Sequence, residues 1–272
     1  MTSRIITAAE RTASARGVKA LIVGPAGVGK TSLLRTLKPE LLASTLFVDV
    51  EAGDLSVQDL AVDTTRPRTW AECRDLAVIL AGQNPAVPAD ALYSEAHYND
   101  AVGRLGSPRP YKALFIDSLT AVGRLCFAHA SQQPEAFSER SGKRDLRGAY
   151  GLHARELIMW LMHLQQAREA NVIFLGILET VTDDYGRTEH RLQLEGARTS
   201  RELPAVVDQV ITYQWINFGD GSLTRALVCT APNPWQFPAK DRSGRLEQIE
   251  RPDLGELLTK LSAQSKGSDS AE

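Results

Sequence analysis

Gly24-Pro-Ala-Gly-Val-Gly-Lys-Thr31 matches the phosphate-binding pattern G-x-x-x-x-G-K-[ST] at every specified position and carries an extra glycine, Gly27. Glycines let the backbone curl until successive N–H groups face one point, where a side chain would block a phosphate. Lys30 in such a loop reaches the β- and γ-phosphates of a nucleotide, and the Thr31 hydroxyl stands ready for Mg²⁺. Val18 to Val23 predicts a short strand before the loop, and Thr31 to Leu37 predicts a helix after it. That helix start adds partial positive charge. The nucleotide-binding candidates are therefore Gly24, Pro25, Ala26, Gly27, Val28, Gly29, Lys30, Thr31 and Ser32. Lys30 is also a catalytic candidate and Thr31 a metal ligand.

Outward from the loop, 272 residues with 43% hydrophobic content sustain one α/β domain with insertions. The expected division is 1–17 as an N-terminal segment, 18–261 as the domain and 262–272 as a polar, disordered tail. Lys and Arg total 31 against 33 Asp and Glu, a formal charge of −2. There is no bulk pull toward nucleic acid or anionic membrane, so any nucleic-acid site must be a local patch. Cys73, Cys126 and Cys229 lie far apart without C-x-x-C spacing. They read as buried small hydrophobes in a reducing compartment. No apolar run spans a membrane, and the N-terminus lacks a signal peptide's apolar centre, which predicts a cytoplasmic chain.

Ile5, Ile6 and the run to Arg16 predict a short helix packed beside the sheet, with an arm to a neighbouring subunit as the other possibility. Pro39 marks the end of the loop helix. Thr45 to Val50 reads as a second strand, taken as the neighbour of the first, stopping at Glu51. A carboxylate at that end suits a general base that orients the attacking water. On position alone Glu51 fits a solvated loop acid equally well. Leu60 to Thr64 suggests a further strand, and Thr69-Trp-Ala-Glu72 is a capping box opening a helix to about Leu80. Residues 81–110 read as a surface insertion whose Tyr93, His97 and Tyr98 suit either stacking on a base or, more commonly for isolated aromatics, packing the insertion onto the domain.

Tyr111-Lys-Ala-Leu-Phe-Ile-Asp117 is an apolar strand ending in a carboxylate that would hold Mg²⁺ directly or through water. Asp117 is thus a nucleotide and metal candidate, with Ser118 beside it. Ser131 to Gly151 reads as a polar loop carrying Arg140, Lys143, Arg144 and Arg147, before a helix from Leu152 to Ala170. A strand from Asn171 reaches Glu179-Thr180. The stretch from Val181 to Glu202 reads as a mobile loop offering Arg187, Arg191, Arg198 and Arg201. Both loops suit phosphate-backbone contacts, and both carry acids that suit an ordinary solvated loop. Val206 to Trp215 and Leu223 to Thr230 predict a hairpin. Lys240-Asp-Arg242-Ser-Gly244 then sets two cations one residue apart, as an arginine finger acting in cis or from the next subunit would require, or as any basic surface turn would.

Together these motifs resemble the RecA superfamily of P-loop ATPases, most closely the small phage-type RecA-like proteins of single-strand annealing and recombination. The resemblance covers Val18 to Arg245 and implies an α/β fold with a twisted, mainly parallel sheet flanked by helices. It makes Phe47-Val-Asp-Val-Glu51 similar to the strand ending in the catalytic glutamate, and Asp117-Ser118 similar to the family's Asp-Ser step. It implies that the two basic loops bind DNA. Lys240-Asp-Arg242-Ser-Gly244 is similar to the Lys-x-Arg-x-Gly motif of the RadA and DnaB branches, which implies Lys240 and Arg242 acting on the ATP of an adjacent subunit. The strand before the second loop departs from the family, ending in Ile177-Leu-Glu-Thr180 without a glutamine sensor, with Glu179 or Thr180 as substitutes.

The expected protein is a DNA-dependent ATP hydrolase using ATP and Mg²⁺. It would form a homo-oligomeric filament or ring with interface active sites on single-stranded DNA, in the cytoplasm of a bacterial or phage-infected cell. A single-stranded DNA-binding protein is a further expected partner. The alternatives are a hexameric DNA translocase and a nucleotide-gated interaction protein without nucleic-acid activity.

Overall fold

The computed structural model describes residues 5–262 apart from 15, 108, 139, 141, 183, 187 and 220, with the backbone alone at 12, 13, 197 and 198. The tail expected at 262–272 lies outside these residues except Ser262, which closes the last helix. The chain runs through α1 (Ala8–Ala13), β1 (Lys19–Gly24), a 3-10 helix (Thr31–Thr36), α2 (Pro39–Leu42), β2 (Thr45–Asp49) and β3 (Asp63–Thr65). It continues through α3 (Trp70–Ala81), α4 (Glu95–Leu105), β4 (Ala113–Asp117), α5 (Leu119–Ala130), α6 (Leu146–Leu164) and β5 (Asn171–Thr182). Then follow β6 (Thr188–Leu192), α7 (Ala197–Val206), β7 (Gln209–Asn217), β8 (Leu223–Val228), β9 (Lys240–Asp241), β10 (Ile249–Glu250) and α8 (Leu254–Ser262).

The strands form one sheet in the order β10-β8-β7-β1-β5-β4-β2-β3, with β6 on β5 and β9 on β7. From β7 to β3 every neighbouring pair is parallel. Strands β6, β8, β9 and β10 pair antiparallel. The central strands β1, β2 and β4 are buried along their whole length, which is why they read as near-continuous apolar runs. One face of the sheet packs Trp70, Trp160, Phe174 and Leu157 under α3, α5 and α6; the other packs Phe47, Phe115, Leu33, Leu34 and Leu257 under the 3-10 helix and α8. This is the mixed α/β architecture that the resemblance implies. The three cysteines are buried free thiols, and burial pushes those of Cys73 and Cys229 up to about 12. Among the described residues no helix is long and apolar enough to cross a membrane.

Local chemistry accounts for several boundaries. The Thr69 hydroxyl accepts from the Glu72 N–H at 3.2 Å and the Glu72 carboxylate accepts from the Thr69 N–H at 3.3 Å, so the capping box starts α3 as its spacing predicts. The insertion is packed down: Tyr93 stacks on His163 with ring centroids 4.1 Å apart, and His97 meets Asp75 at 3.0 Å.

Elsewhere the structure departs from the sequence reading. Strand β2 is not beside β1; β5 and β4 lie between them, because parallel crossovers set strand order and chain order does not reveal it. The segment after the loop is 3-10, and Pro39 opens α2 at its first turn, where a missing N–H costs nothing. The third strand is confined to Asp63–Thr65. Helix α6 begins at Leu146, capped by the Asp145 carboxylate, and so includes Arg147. Gly148, which reads as loop punctuation, is instead a packing glycine: a Cβ there would lie 1.7 Å from the Glu135 carbonyl oxygen. The stretch from Val181 to Glu202 is the end of β5, β6 and most of α7. Finally, the side chains described on α1 are exposed rather than packed on the sheet, as are Ile5 and Ile6.

Candidate nucleotide site

The loop leaves β1 at the carboxyl edge of the parallel strands, the edge where open α/β sheets bind ligands. Gly27 and Gly29 have φ of 77° and 100°, the left-handed conformations that let the loop curl. The Lys30 ammonium closes the curl by donating to the carbonyls of Gly24 and Pro25, each at 2.9 Å. Burial lowers its pKa, opposed by the charges of Asp117 and Glu51. A nucleotide's phosphate oxygens would take over those two bonds.

Asp117 ends β4 and accepts from the Thr31 hydroxyl at 2.5 Å. Burial raises its carboxyl to about 6; the Thr31 bond and Lys30 oppose this, while Glu51 and Asp49 add to it. The hydroxyl and carboxylate oxygen are hard donors of the kind Mg²⁺ takes, with phosphates and water completing the shell. Among the described residues no group of three or more His, Cys, Asp or Glu is arranged to hold a metal alone.

Glu51 lies just past the end of β2 and joins this pair through Ser118. The Ser118 hydroxyl accepts from the Ala121 N–H at 3.2 Å, capping α5, and donates to Glu51 Oε1. Its hydrogen-bonding capacity is thereby split between fixing a helix start and holding the candidate base. Asp49, not singled out by sequence, anchors the turn: its carboxylate accepts from the Gly53 N–H at 2.9 Å and from Arg66 Nε at 3.1 Å. The Val50 N–H donates to the Asp117 carbonyl at 2.7 Å, tying the ends of β2 and β4 together.

Lys240 and Arg242 are not part of this constellation. Lys240 pairs with Val210 and Asp241 with Gln209, level with the start of β1, so both cations lie toward the amino-terminal edge, away from this chain's own loop. The Lys240 ammonium donates to the carbonyls of Pro204 and Val207, both at 2.6 Å, capping the end of α7. Arg242 donates to Asp208 at 3.0 Å, and the same carboxylate accepts from Arg16 at 2.9 Å. A cis finger is therefore ruled out by placement.

The cation that does stand at the loop is Arg225 of β8, which the sequence reading missed. Its Nη1 is 3.4 Å from the Val28 carbonyl, and a Cβ on Gly29 would come within 2.7 Å of it. The guanidinium lies over the Trp215 ring, 5.3 Å from its centroid. Only the hairpin register, which sets Trp215 opposite Arg225, reveals this.

Of the basic candidates, Arg140, Lys143, Arg144 and Arg147 are exposed around the start of α6, with Phe137 and Tyr150 exposed beside them. A bridge between Phe137 and Arg144 pins this loop. Arg191 is held by Glu179 at 2.6 Å across the β5–β6 hairpin, and Thr180 meets His190 at 3.1 Å. Neither residue thus stands free as a sensor. Arg201 is exposed on α7, Arg187 lies outside the described residues, and for Arg198 the backbone alone is described. The two basic segments border one cavity of about 490 Å³, lined by Tyr150 and Gly151 from one and by Arg191, Gly196 and Thr199 from the other.

Compared with known proteins, residues 16–243 match the family profile described as the AAA domain. Among solved structures the chain is similar to the RadB recombinase, at 14% identity and a TM-score of 0.35, over 79% of this chain and 88% of that one. No curated protein sequence matches it.

Proposed function

The chain belongs to the AAA domain family, and on that premise we propose that it is an Mg²⁺-dependent ATPase that oligomerises on single-stranded DNA and promotes annealing or strand exchange. The observation that carries the ATPase reading is the Thr31–Asp117 contact with Glu51 tied to the next residue, Ser118. Lys30 exchanges its two carbonyl partners for phosphate oxygens. Thr31 and Asp117 would hold Mg²⁺, which would supply charge that neutralises the phosphates. Glu51, oriented by Ser118, accepts a hydrogen bond from the attacking water and takes its proton.

Assembly is supported by the position of Lys240 and Arg242, which are distant from their own loop and so suited to a neighbour's nucleotide. Single-stranded DNA is supported by the exposed cations and aromatics at the start of α6, since salt-screened backbone contacts and base stacking are what such strands offer. The Glu179–Arg191 pair withdraws one cation from the second basic segment, on β6, and favours a second reading, a nucleotide-gated interaction protein.

The test is ATP hydrolysis by the purified chain with and without single-stranded DNA at low and high salt, alongside direct DNA binding. Salt-sensitive binding with nucleotide-dependent assembly is expected. Turnover without DNA binding at any salt would replace the recombination reading with the second one.

A further inference from the structure

Strand β7 lies beside β1 on the flank away from β5, with Val23 level with Thr212. Tyr213 is thus level with Gly24, and Trp215 projects past the end of β1 beside the loop. Tyr213 and Trp215 share a face because side chains alternate along a strand. That face turns toward the loop: the Tyr213 hydroxyl oxygen is 3.7 Å from where a Cβ on Gly29 would be. Across the hairpin, Arg225 stands opposite Trp215 with its guanidinium over the indole and against the Val28 carbonyl. Trp215 is 47% exposed, unlike the buried Trp70 and Trp160.

On the opposite flank, Thr31, Asp117 and Glu51 form the end that receives the metal and the terminal phosphate. A nucleotide threaded through the loop from that end directs its sugar and base away from β4, toward β7 and β8. We propose that Arg225 and Trp215 form the nucleoside subsite of this chain's own nucleotide site, with the base stacked on their planar groups and purines preferred for their larger ring system. The inference rests on the nucleotide reading of the loop and adds which end of the ligand faces which strand. Guanidinium and indole planes both stack on aromatic rings, and a guanidinium already resting on an indole is oriented for it.

The test compares ATP with inorganic tripolyphosphate in the presence of Mg²⁺, with CTP as a smaller-base control, by calorimetry and tryptophan fluorescence. Tripolyphosphate has the phosphates and no base. Expected are Lys30-dependent binding of both, quenching of emission by ATP alone, and loss of that quenching in Trp215→Phe. Trp215→Ala should weaken ATP about tenfold, weaken CTP less, and leave tripolyphosphate unchanged. Trp215→Phe should retain most of the ATP affinity because it keeps an aromatic plane, which separates stacking from misfolding. Arg225→Ala should lower the ratio of ATP to tripolyphosphate affinity. Lys30-dependent binding of both ligands with that ratio unchanged in all three variants overturns the subsite and leaves the nucleotide reading standing. Failure of both ligands to bind overturns the two together.

Discussion

The Thr31 hydroxyl donates to Asp117 Oδ2 at 2.5 Å across a separation of 86 residues, although strand β5 stands between β1, which leads into the Thr31 loop, and β4, which Asp117 ends. The acceptor is a carboxylate whose burial costs the free protein stability and holds its proton up to about 6. Asp117→Asn is expected to raise the Tm of the free chain, by roughly 2–4 °C for each kcal/mol of burial relieved. The same change should abolish the stabilisation conferred by Mg²⁺ and ATP. Thermal melts with and without the nucleotide check both, and an Asn variant still stabilised by Mg²⁺ and ATP would remove Asp117 from the metal's shell.

Lys30→Ala should reduce turnover by about 10²-fold or more, as loss of a fixed transition-state cation does. It should also abolish nucleotide-dependent assembly. Steady-state hydrolysis is the measurement; a variant turning over at the wild-type rate would end the phosphate-loop account.

Glu51→Gln is expected to lower turnover by about 10²–10⁴-fold while nucleotide affinity stays near wild type. Ser118→Ala should fall between wild type and Glu51→Gln, because it loosens the base without deleting it. Single-turnover rates beside binding constants separate these effects. If Glu51→Gln weakened binding and left the bound rate unchanged, Glu51 would be a loop acid.

Arg242→Ala should cut turnover by about 10³-fold, the scale of a finger acting in trans. Mixing it with Glu51→Gln subunits should restore part of the rate, since each supplies what the other lacks. Hydrolysis that stays flat at every mixing ratio would count against catalysis across an interface.

His163 gives a pH dependence with a definite sign. Burial holds its imidazole down to about 4, against an ordinary 6.5, with Gly82 opposing and His97 adding a smaller push downward. Below 6.5 the unfolded chain binds a proton that the folded chain refuses, so stability falls as pH drops from 6.5 through 4. His163→Phe, which keeps the stack on Tyr93, should flatten that acid limb. Denaturant midpoints at pH 7 and pH 5 provide the readout, and equal acid sensitivity in both proteins would exclude His163 as the cause.

The parts of the site legible in the sequence are those fixed by local chemistry. Gly27 and Gly29 declare the curl, and Asp117 and Glu51 declare themselves by ending apolar runs. Thr69 and Glu72 announce a helix start for the same reason. What escapes is whatever depends on how distant segments are laid side by side. The order that inserts β5 and β4 between β1 and β2 leaves no trace in any single strand. Gly148 resembles a loop residue until the Glu135 carbonyl is brought against it. Arg225 is one exposed arginine among many until hairpin register sets it over Trp215.

Asp208 shares its carboxylate between Arg16, which follows α1, and Arg242, the candidate finger. The two guanidinia compete for one negative charge. Any contact that draws the N-terminal segment and Arg16 away leaves Arg242 held more firmly, and any contact that seats Arg16 more deeply eases its release. Through that one carboxylate, the placement of the segment before β1 sets the tension on a cation more than 200 residues further along the chain.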